Sequence, residues 1–235
     1  MSTRPSEVRP APRWALRLGA FLAHGVWSTR VVGAENVPLD GPVLLAANHV
    51  GVIDGPILVG CVPRPTHVMV KQEMFSGPVG AILRRSGQIP VDRANGRTAL
   101  AAALTVLKRG EAVGIFPEGN RGRGDAANAQ AGVAWLAVSA GAPVVPVAVL
   151  GTRRTGESVR HVPGLRRRLH VEFGVPVRVE RAAGVSGRAA IEHGNEVLRE
   201  VLAEHVRTVA DRTGLALPTD APERAGGGPT GPVRR

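Results

Sequence analysis

The 235-residue sequence has a single cysteine, Cys61, so no disulfide can form within the chain. This excludes a small disulfide-stabilised scaffold. Aromatic residues make up only 3% and tyrosine is absent, which argues against a platform for single-stranded nucleic acid, because such platforms stack bases on aromatic rings. Hydrophobic residues nevertheless account for 43% of the chain, too many for a disordered protein. The composition therefore indicates a globular protein of about one domain.

Negative charge is also scarce. The chain has 30 Lys and Arg residues against 19 Asp and Glu, a formal net charge of +11, and only Lys71 and Lys108 are lysines. Such a balance suggests an anionic partner: nucleic acid, anionic lipid or a phosphorylated small molecule. The alternative is an arginine-rich composition inherited from a GC-rich genome. Charge alone does not choose among these, so the motifs must decide.

No apolar run is both long and uninterrupted enough to span a bilayer. The run WALRLGAFLAHGVW (14–27) is shorter than the roughly 20 residues required, and Arg17 and His24 interrupt it. Its arginine and its terminal residues Trp14 and Trp27 are typical of an amphipathic helix at a membrane interface. The alternative is a helix packed on the core. Residues 126–152 carry no charge, but the Gly-Ala-Pro at 141–143 divides them into a buried helix and a buried strand.

Apolar strands alternate with helical segments along the rest of the chain. The predicted strands are 43–47, 67–70, 88–91, 112–116, 144–149 and 169–173, and the predicted helices are 54–62, 78–85, 97–108, 132–140 and 186–212. This order predicts an α/β fold with a largely parallel or mixed sheet flanked by helices. We expect a polar lead and amphipathic helix over 1–29, one domain over 30–217, and a disordered Pro/Gly/Arg-rich tail over 218–235.

The segment NHVGVID (48–54) follows a buried strand and leads into a helix. His49 therefore lies at the carboxyl edge of the sheet, where α/β proteins place their sites. A tight turn at Gly51 would let Asp54 fold back onto the imidazole, fix its tautomer and leave the other ring nitrogen free to accept a proton. With no neighbouring serine or cysteine nucleophile, such a base would activate a substrate hydroxyl. The alternative is a capping Asp beside an unrelated His.

Two further predicted strands end in arginine. The segments GQIPVDR (87–93) and FPEGNR (116–121) end these strands and place Arg93 and Arg121 at the same sheet edge as His49 if the sheet is parallel. The planar guanidinium binds phosphate oxygens with two parallel hydrogen bonds. Gly119 would let backbone amides approach an anion. The alternative for each arginine is a surface ion pair with a neighbouring carboxylate.

These blocks, together with VVPVAV (144–149), stand in the order seen in a known family. The sequence resembles the glycerolipid acyltransferases, in particular the 1-acyl-glycerol-3-phosphate acyltransferases, which carry an HX4D motif, a G-x5-R block, an FPEGxR block and a VPV block. The resemblance covers about residues 30–152. It implies an O-acyltransferase of phospholipid biosynthesis that moves a fatty acyl group from acyl-CoA or acyl carrier protein to 1-acyl-glycerol 3-phosphate, giving phosphatidic acid.

The resemblance also implies residue roles. His49 would be the base and Asp54 would orient it. The residues implied at the substrate phosphate are Arg93, Glu118, Gly119, Arg121 and, more weakly, Lys71. Pro146 would lie near the acyl chain. No metal and no cofactor beyond the acyl donor is implied.

One departure concerns the acceptor. The family usually has Thr or Ser before the arginine of the third block, whereas this chain has Asn120. Other acceptors therefore stay open: glycerol 3-phosphate, a lysophospholipid or a lyso-glycolipid. The implied location is the cytoplasmic face of the cell membrane, as a peripheral protein on an anionic surface with no nucleic-acid partner. A non-catalytic basic module for membranes or nucleic acid is a more distant alternative that rests on charge alone.

Overall fold

The structure, a computed structural model, describes residues 8–92, 95–119, 121–126, 131–180 and 184–220. Its centre is a seven-stranded sheet with the order β1-β7-β6-β2-β5-β3-β4. The strands are β1 Ser28–Val32, β2 Val43–Ala47, β3 Thr66–Lys71, β4 Ile89–Val91, β5 Ala112–Ile115, β6 Val144–Leu150 and β7 Arg168–Phe173. All neighbouring pairs are parallel except β6 with β7. The predicted α/β fold with a largely parallel or mixed sheet is confirmed.

Helices flank this sheet. They are α1 Arg13–Ala20, α2 Asp54–Cys61, α3 Gly77–Arg85, α4 Gly96–Lys108, α5 Gly132–Ala140 and α6 Gly187–Thr213. Helix α1 continues directly into a π-helical segment, Phe21–Val26. Helix α6 begins where the Ser186 hydroxyl accepts a hydrogen bond from the Ala189 amide, and it ends at Gly214 in the left-handed region.

The sheet is covered on both faces, which explains why β2 is apolar at every position. Leu45 and Ala47 of β2 point into a layer shared with α2 and the π-helical segment. Leu44 and Ala46 point into the opposite layer, which α4 and α5 cover. A smaller cluster joins the end of β6 to α6 through Leu150. The carboxyl end of β2, which leads to His49, therefore lies between two packed layers.

Helix α1 packs closely on α2. A Cβ atom at Gly60 would lie 2.2 Å from the carbonyl of Gly19, so only glycine allows the two backbones to approach this closely. On its outer side, α1 and the residue that follows it expose a stripe of three apolar side chains, Trp14, Leu18 and Phe21. Because α2 begins at Asp54, the Gly19–Gly60 contact fixes this stripe relative to the predicted dyad.

The chain ends differ in part from the sequence expectations. Trp27, expected at the membrane interface with Trp14, is buried, and its indole donates to the Pro163 carbonyl. Within the described ranges, no helix combines the length and the hydrophobicity needed to cross a membrane. Of the tail predicted to be disordered, positions 221–235 lie outside the described residues. Pro218 is buried and Asp220 binds Arg153, so the first three residues of that span pack on the domain.

Candidate active site

The site begins where β2 ends. The buried Asn48 extends the pairing between β2 and β6 by one step: its Nδ2 donates to the Val149 carbonyl at 3.2 Å, and the Val149 amide donates to its Oδ1 at 2.7 Å. An asparagine supplies both a donor and an acceptor at a position where the strand no longer provides them. This pair of bonds fixes the backbone immediately before His49.

His49 and Asp54 form the predicted pair. Nδ1 of His49 lies 2.8 Å from Oδ2 of Asp54, whose side chain is completely buried. The same Oδ2 accepts hydrogen bonds from the amides of Val50 at 2.7 Å and Gly51 at 2.8 Å, and Oδ1 accepts one from the Thr152 hydroxyl at 2.5 Å. With the carboxylate acting as acceptor, Nδ1 carries the imidazole proton. Nε2 is then left with its lone pair.

The loop after β5 contacts both the ring and the backbone of His49. Its ring stacks on Phe116, with 4.2 Å between ring centroids and 21° between planes. Its amide donates to Oε1 of Glu118 at 3.1 Å, and its carbonyl accepts from the Gly122 amide at 2.9 Å. The imidazole keeps 12% of its surface exposed. The ring is thus fixed in orientation and still open to a substrate.

Glu118 is a largely buried carboxyl group. Burial raises the pKa of Glu118 to about 7, and the negative charges of Asp125 and Asp54 act in the same direction. Hydrogen bonds from the backbone amides of His49 and Gly124 oppose the shift. Near neutral pH the side chain is therefore a mixture of protonated and ionised forms, and either form can accept the bond from His49.

Arg121 lies beside this loop with a spare donor. Its Nε is buried and has no hydrogen-bond partner among the described residues. Burial lowers the pKa of Arg121, the charge of Asp54 opposes that effect, and the charge of Arg160 reinforces it. A buried N–H group without a partner costs free energy that a bound acceptor would recover. An anion at this position would satisfy the Arg121 guanidinium.

The other predicted site residues are placed less closely. Gly119 has a left-handed φ of 67°, and its own amide donates to the Phe116 carbonyl at 3.0 Å, so that amide is used within the turn. Lys71 ends β3 at the same carboxyl edge, in register with the last residue of β4. Arg93 lies outside the described residues, as does Asn120. Pro146 lines a groove with α6 on the face of the sheet opposite α2, so the structure does not bring it to the His49–Asp54 pair.

Sequence analysis missed two residues, Thr152 and Arg153. Thr152 holds Asp54 as described above. Arg153 is buried, donates to the Gly122 carbonyl at 3.3 Å and forms an ion pair with Asp220. Both residues follow β6 after a single glycine, Gly151, so the position of a polar Thr-Arg just after a buried strand was the available signal. Among the described residues, no cluster of three or more His, Cys, Asp or Glu side chains is arranged to hold a metal ion.

The fold and the position of the site place the chain among the α/β proteins that bind ligands at the carboxyl ends of their strands. The acyltransferase family model matches residues 28–150, from the start of β1 to the end of β6. This match covers just over half of the chain, and the chain belongs to the acyltransferase family. The predicted family and the prediction that the protein is an acyltransferase enzyme are confirmed.

Individual relatives agree with this assignment. A 1-acyl-sn-glycerol-3-phosphate acyltransferase of Bacillus subtilis is 36% identical over 140 residues, which cover 58% of this chain and 68% of the relative. One from Borreliella burgdorferi is 33% identical over 127 residues, covering 52% and 51%. The crystal structure of the 1-acyl-sn-glycerophosphate acyltransferase PlsC from Thermotoga maritima has the same fold, with a TM-score of 0.62, 22% identity, and coverage of 82% of this chain and 78% of that chain.

Proposed function

We propose that the enzyme transfers a fatty acyl group from the thioester of coenzyme A or acyl carrier protein to the free hydroxyl of 1-acyl-glycerol 3-phosphate, giving phosphatidic acid. The observation that carries this proposal is the His49–Asp54 pair with its open Nε2. The neighbouring loop after β5, which binds the His49 backbone, carries Arg121 with its spare donor. The activity named for the bacterial relatives supports the choice of acceptor.

In the proposed reaction, Nε2 of His49 takes the proton of the acceptor hydroxyl while the hydroxyl oxygen attacks the thioester carbonyl carbon. The Nδ1–H bond to Asp54 stabilises the imidazolium that forms. The carbon–sulfur bond then breaks, and the departing thiolate takes up the proton held on His49. The products are the new ester and the free thiol of the carrier.

This scheme needs no acyl-enzyme, and the single cysteine is unsuited to forming one. Cys61 is buried, at the end of α2 away from Asp54, and burial raises the pKa of its thiol to about 12. The thiol is therefore protonated at physiological pH, whereas nucleophilic attack requires a thiolate. A direct transfer between the two substrates is the chemistry that these side chains favour.

The acceptor phosphate would bind at Arg121. The buried Nε supplies a donor that no described residue uses, and a phosphate would complete its hydrogen bonding. Glu118 supports the same loop through the His49 amide. Lys71 at the end of β3, and Arg93 because of the motif in which it stands, are the further candidates for the phosphate.

The proposed acceptor is a membrane lipid, so the enzyme must reach a bilayer surface. We propose peripheral association with the cytoplasmic face of the membrane, where acyl thioesters of coenzyme A and acyl carrier protein are available. The exposed stripe Trp14, Leu18 and Phe21 supplies the apolar side of such a contact. Arg13 and Arg17, exposed on the same helix, supply charge for anionic head groups.

The test is an acyl-transfer assay with the purified enzyme, acyl-CoA or acyl carrier protein, and lysophosphatidate, with the product identified by mass spectrometry. We expect His49→Ala and Asp54→Ala each to lower turnover about 10²–10⁴-fold. Wild-type turnover in both variants would refute the proposed mechanism. Arg121→Ala should raise the acceptor KM, while Arg123→Ala, an exposed arginine two residues away, serves as the control.

The acceptor is tested separately. Glycerol 3-phosphate and lysophospholipids with larger head groups are offered under the same conditions as lysophosphatidate. Preferential turnover of one of these would support the acyl-transfer mechanism but refute lysophosphatidate as the acceptor. Comparing acyl-CoA with acyl carrier protein in parallel assigns the donor.

A further inference from the structure

A second apolar and cationic surface lies in the connection between β6 and β7. Within residues 160–168, Val162 is 60% exposed and Leu165 is 76% exposed. The exposed residues Arg160, Arg166 and Arg168 accompany them. An isolated exposed leucine needs no explanation. An exposed valine and an exposed leucine set among three arginines within nine residues form a patch with both apolar and cationic character.

The arginines of this loop do not all serve the same purpose. Arg167 is largely buried and forms two parallel bonds with Glu157, at 2.7 and 2.9 Å, which neutralise its charge inside the loop. Arg166 adopts a left-handed φ of 58°, which turns the chain between two outward-facing positions. The run of three arginines therefore divides into one internal ion pair and two exposed charges.

The loop is held firmly at the end of the N-terminal helical segment. The Trp27 indole donates to the Pro163 carbonyl at 3.0 Å, and the Arg166 amide donates to the Val26 carbonyl at 2.8 Å. The Ser28 amide donates to the Arg167 carbonyl at 2.9 Å. These bonds hold the backbone beside Leu165 in place, so the exposure of Leu165 is a fixed feature of the fold.

The loop also continues the exposed stripe of α1. The Phe21 ring lies over Gly25, where a Cβ atom would be 3.0 Å from the ring carbon Cδ2. Gly25 precedes Val26, the residue that binds the Arg166 amide. The Phe21 end of the stripe therefore lies close to Arg166 in the loop 160–168, and the two surfaces are neighbours.

We propose that the loop 160–168 and the α1 stripe together form one docking surface for a bilayer of anionic phospholipid. This inference rests on the proposed function, because that function requires the enzyme to take a lipid acceptor from a membrane. The arginines would bind lipid phosphates at head-group depth, while Val162 and Leu165 enter the apolar layer beneath.

The surface adjoins the site electrostatically. Arg160 is close enough to Arg121 for its charge to lower the pKa of that guanidinium. Arg153 also connects the two regions, because it donates to the Gly122 carbonyl at 3.3 Å and to the carbonyl of Glu157, the partner of Arg167. A lysophosphatidate held at the bilayer surface would meet the cationic loop first and then Arg121. Within the loop itself, nucleic acid fits less well, because the aliphatic Val162 and Leu165 offer bases no stacking platform.

The test is cosedimentation of the full chain with vesicles of phosphatidylcholine, alone or mixed with phosphatidylglycerol. We expect the double variant Val162→Ser/Leu165→Ser to bind mixed vesicles about tenfold more weakly. Arg166→Asn, which suits the left-handed backbone, should weaken binding about fivefold on mixed vesicles only, and high salt should abolish the difference.

Control variants make comparable changes at exposed positions elsewhere. Val175→Ser alters a residue that is 72% exposed on the far face of the sheet, and Arg188→Gln removes one exposed charge from α6. Both should bind vesicles as the wild type does. Wild-type binding by the loop variants would overturn the proposal, and so would a loss of DNA binding with vesicle binding retained. Vesicle binding involves no acyl transfer. The cosedimentation result therefore tests the docking surface, and the acyl-transfer assay tests the proposed function.

Discussion

Glu118→Gln should make the protein more stable at neutral pH. In the folded protein, burial raises the pKa of this carboxyl group from 4.5 to about 7. A group whose pKa rises on folding binds its proton more tightly in the folded state. The free energy of unfolding therefore falls as the pH rises between these two values and levels off above about 7. Glutamine is neutral throughout and can still accept the bond from the His49 amide.

The size of the effect follows from the two pKa values. Each pH unit between 4.5 and about 7 corresponds to about 1.4 kcal/mol. The wild type should thus lose about 3 kcal/mol across this window through Glu118 alone. Below pH 4.5 the free energies of unfolding of the variant and the wild type should be equal. Above about pH 7 that of the variant should be larger by about 3 kcal/mol.

Urea unfolding over a series of pH values measures this difference directly, because other titrating groups are common to both proteins and cancel. The variant Glu196→Gln, which alters an exposed carboxylate on α6, is the control. If the curves of the wild type and Glu118→Gln run parallel across the window, the pKa of Glu118 is ordinary. The carboxyl group would then be solvated, which would refute the close packing of the loop after β5 around His49.

Three further changes test single contacts. Thr152→Val removes the hydroxyl that holds the proposed catalytic carboxylate, so kcat should fall about tenfold with acceptor KM unchanged, and Thr152→Ser should restore it. Gly60→Ala, whose Cβ would meet the α1 backbone at 2.2 Å, should lower the free energy of unfolding by about 2 kcal/mol, whereas Gly55→Ala, in open space, should not. Asp220→Asn leaves buried Arg153 without a carboxylate and should cost about 2 kcal/mol in urea unfolding.

The central strands were predictable because they are buried on both faces. Residues 43–47 form β2 as predicted, and the predicted strand over 144–149 extends by one residue to Leu150. A strand covered on both sides is a continuous apolar run, a pattern visible within a few residues. By contrast, β1 Ser28–Val32 was missed. It is a half-exposed edge strand whose partner, β7, lies about 140 residues away, so its short sequence STRVV carries no distinctive period.

The same distinction between local and distant contacts applies to the site. The His49–Asp54 pair was predictable because both residues belong to one short turn, in which two backbone amides bind the same carboxylate oxygen. The Thr152 bond joins positions 98 residues apart and depends on β6 lying beside β2. The polar Thr-Arg after β6 marks the position, but nothing in the local sequence predicts the contact of Thr152 with Asp54. It exists only once the strand order is known.

The arginines show how strongly the fold changes the meaning of a net charge. Arg64 donates to three carbonyls, those of Pro38, Gly41 and Gly110, and so ties two loops together. Arg167 is likewise occupied within its own loop. Such groups contribute to a net charge of +11 but offer little to a partner. The exposed arginines of loop 160–168 lie instead among exposed aliphatic side chains. This combination favours a lipid surface, because the aliphatic residues can enter the bilayer while the charges bind its head groups.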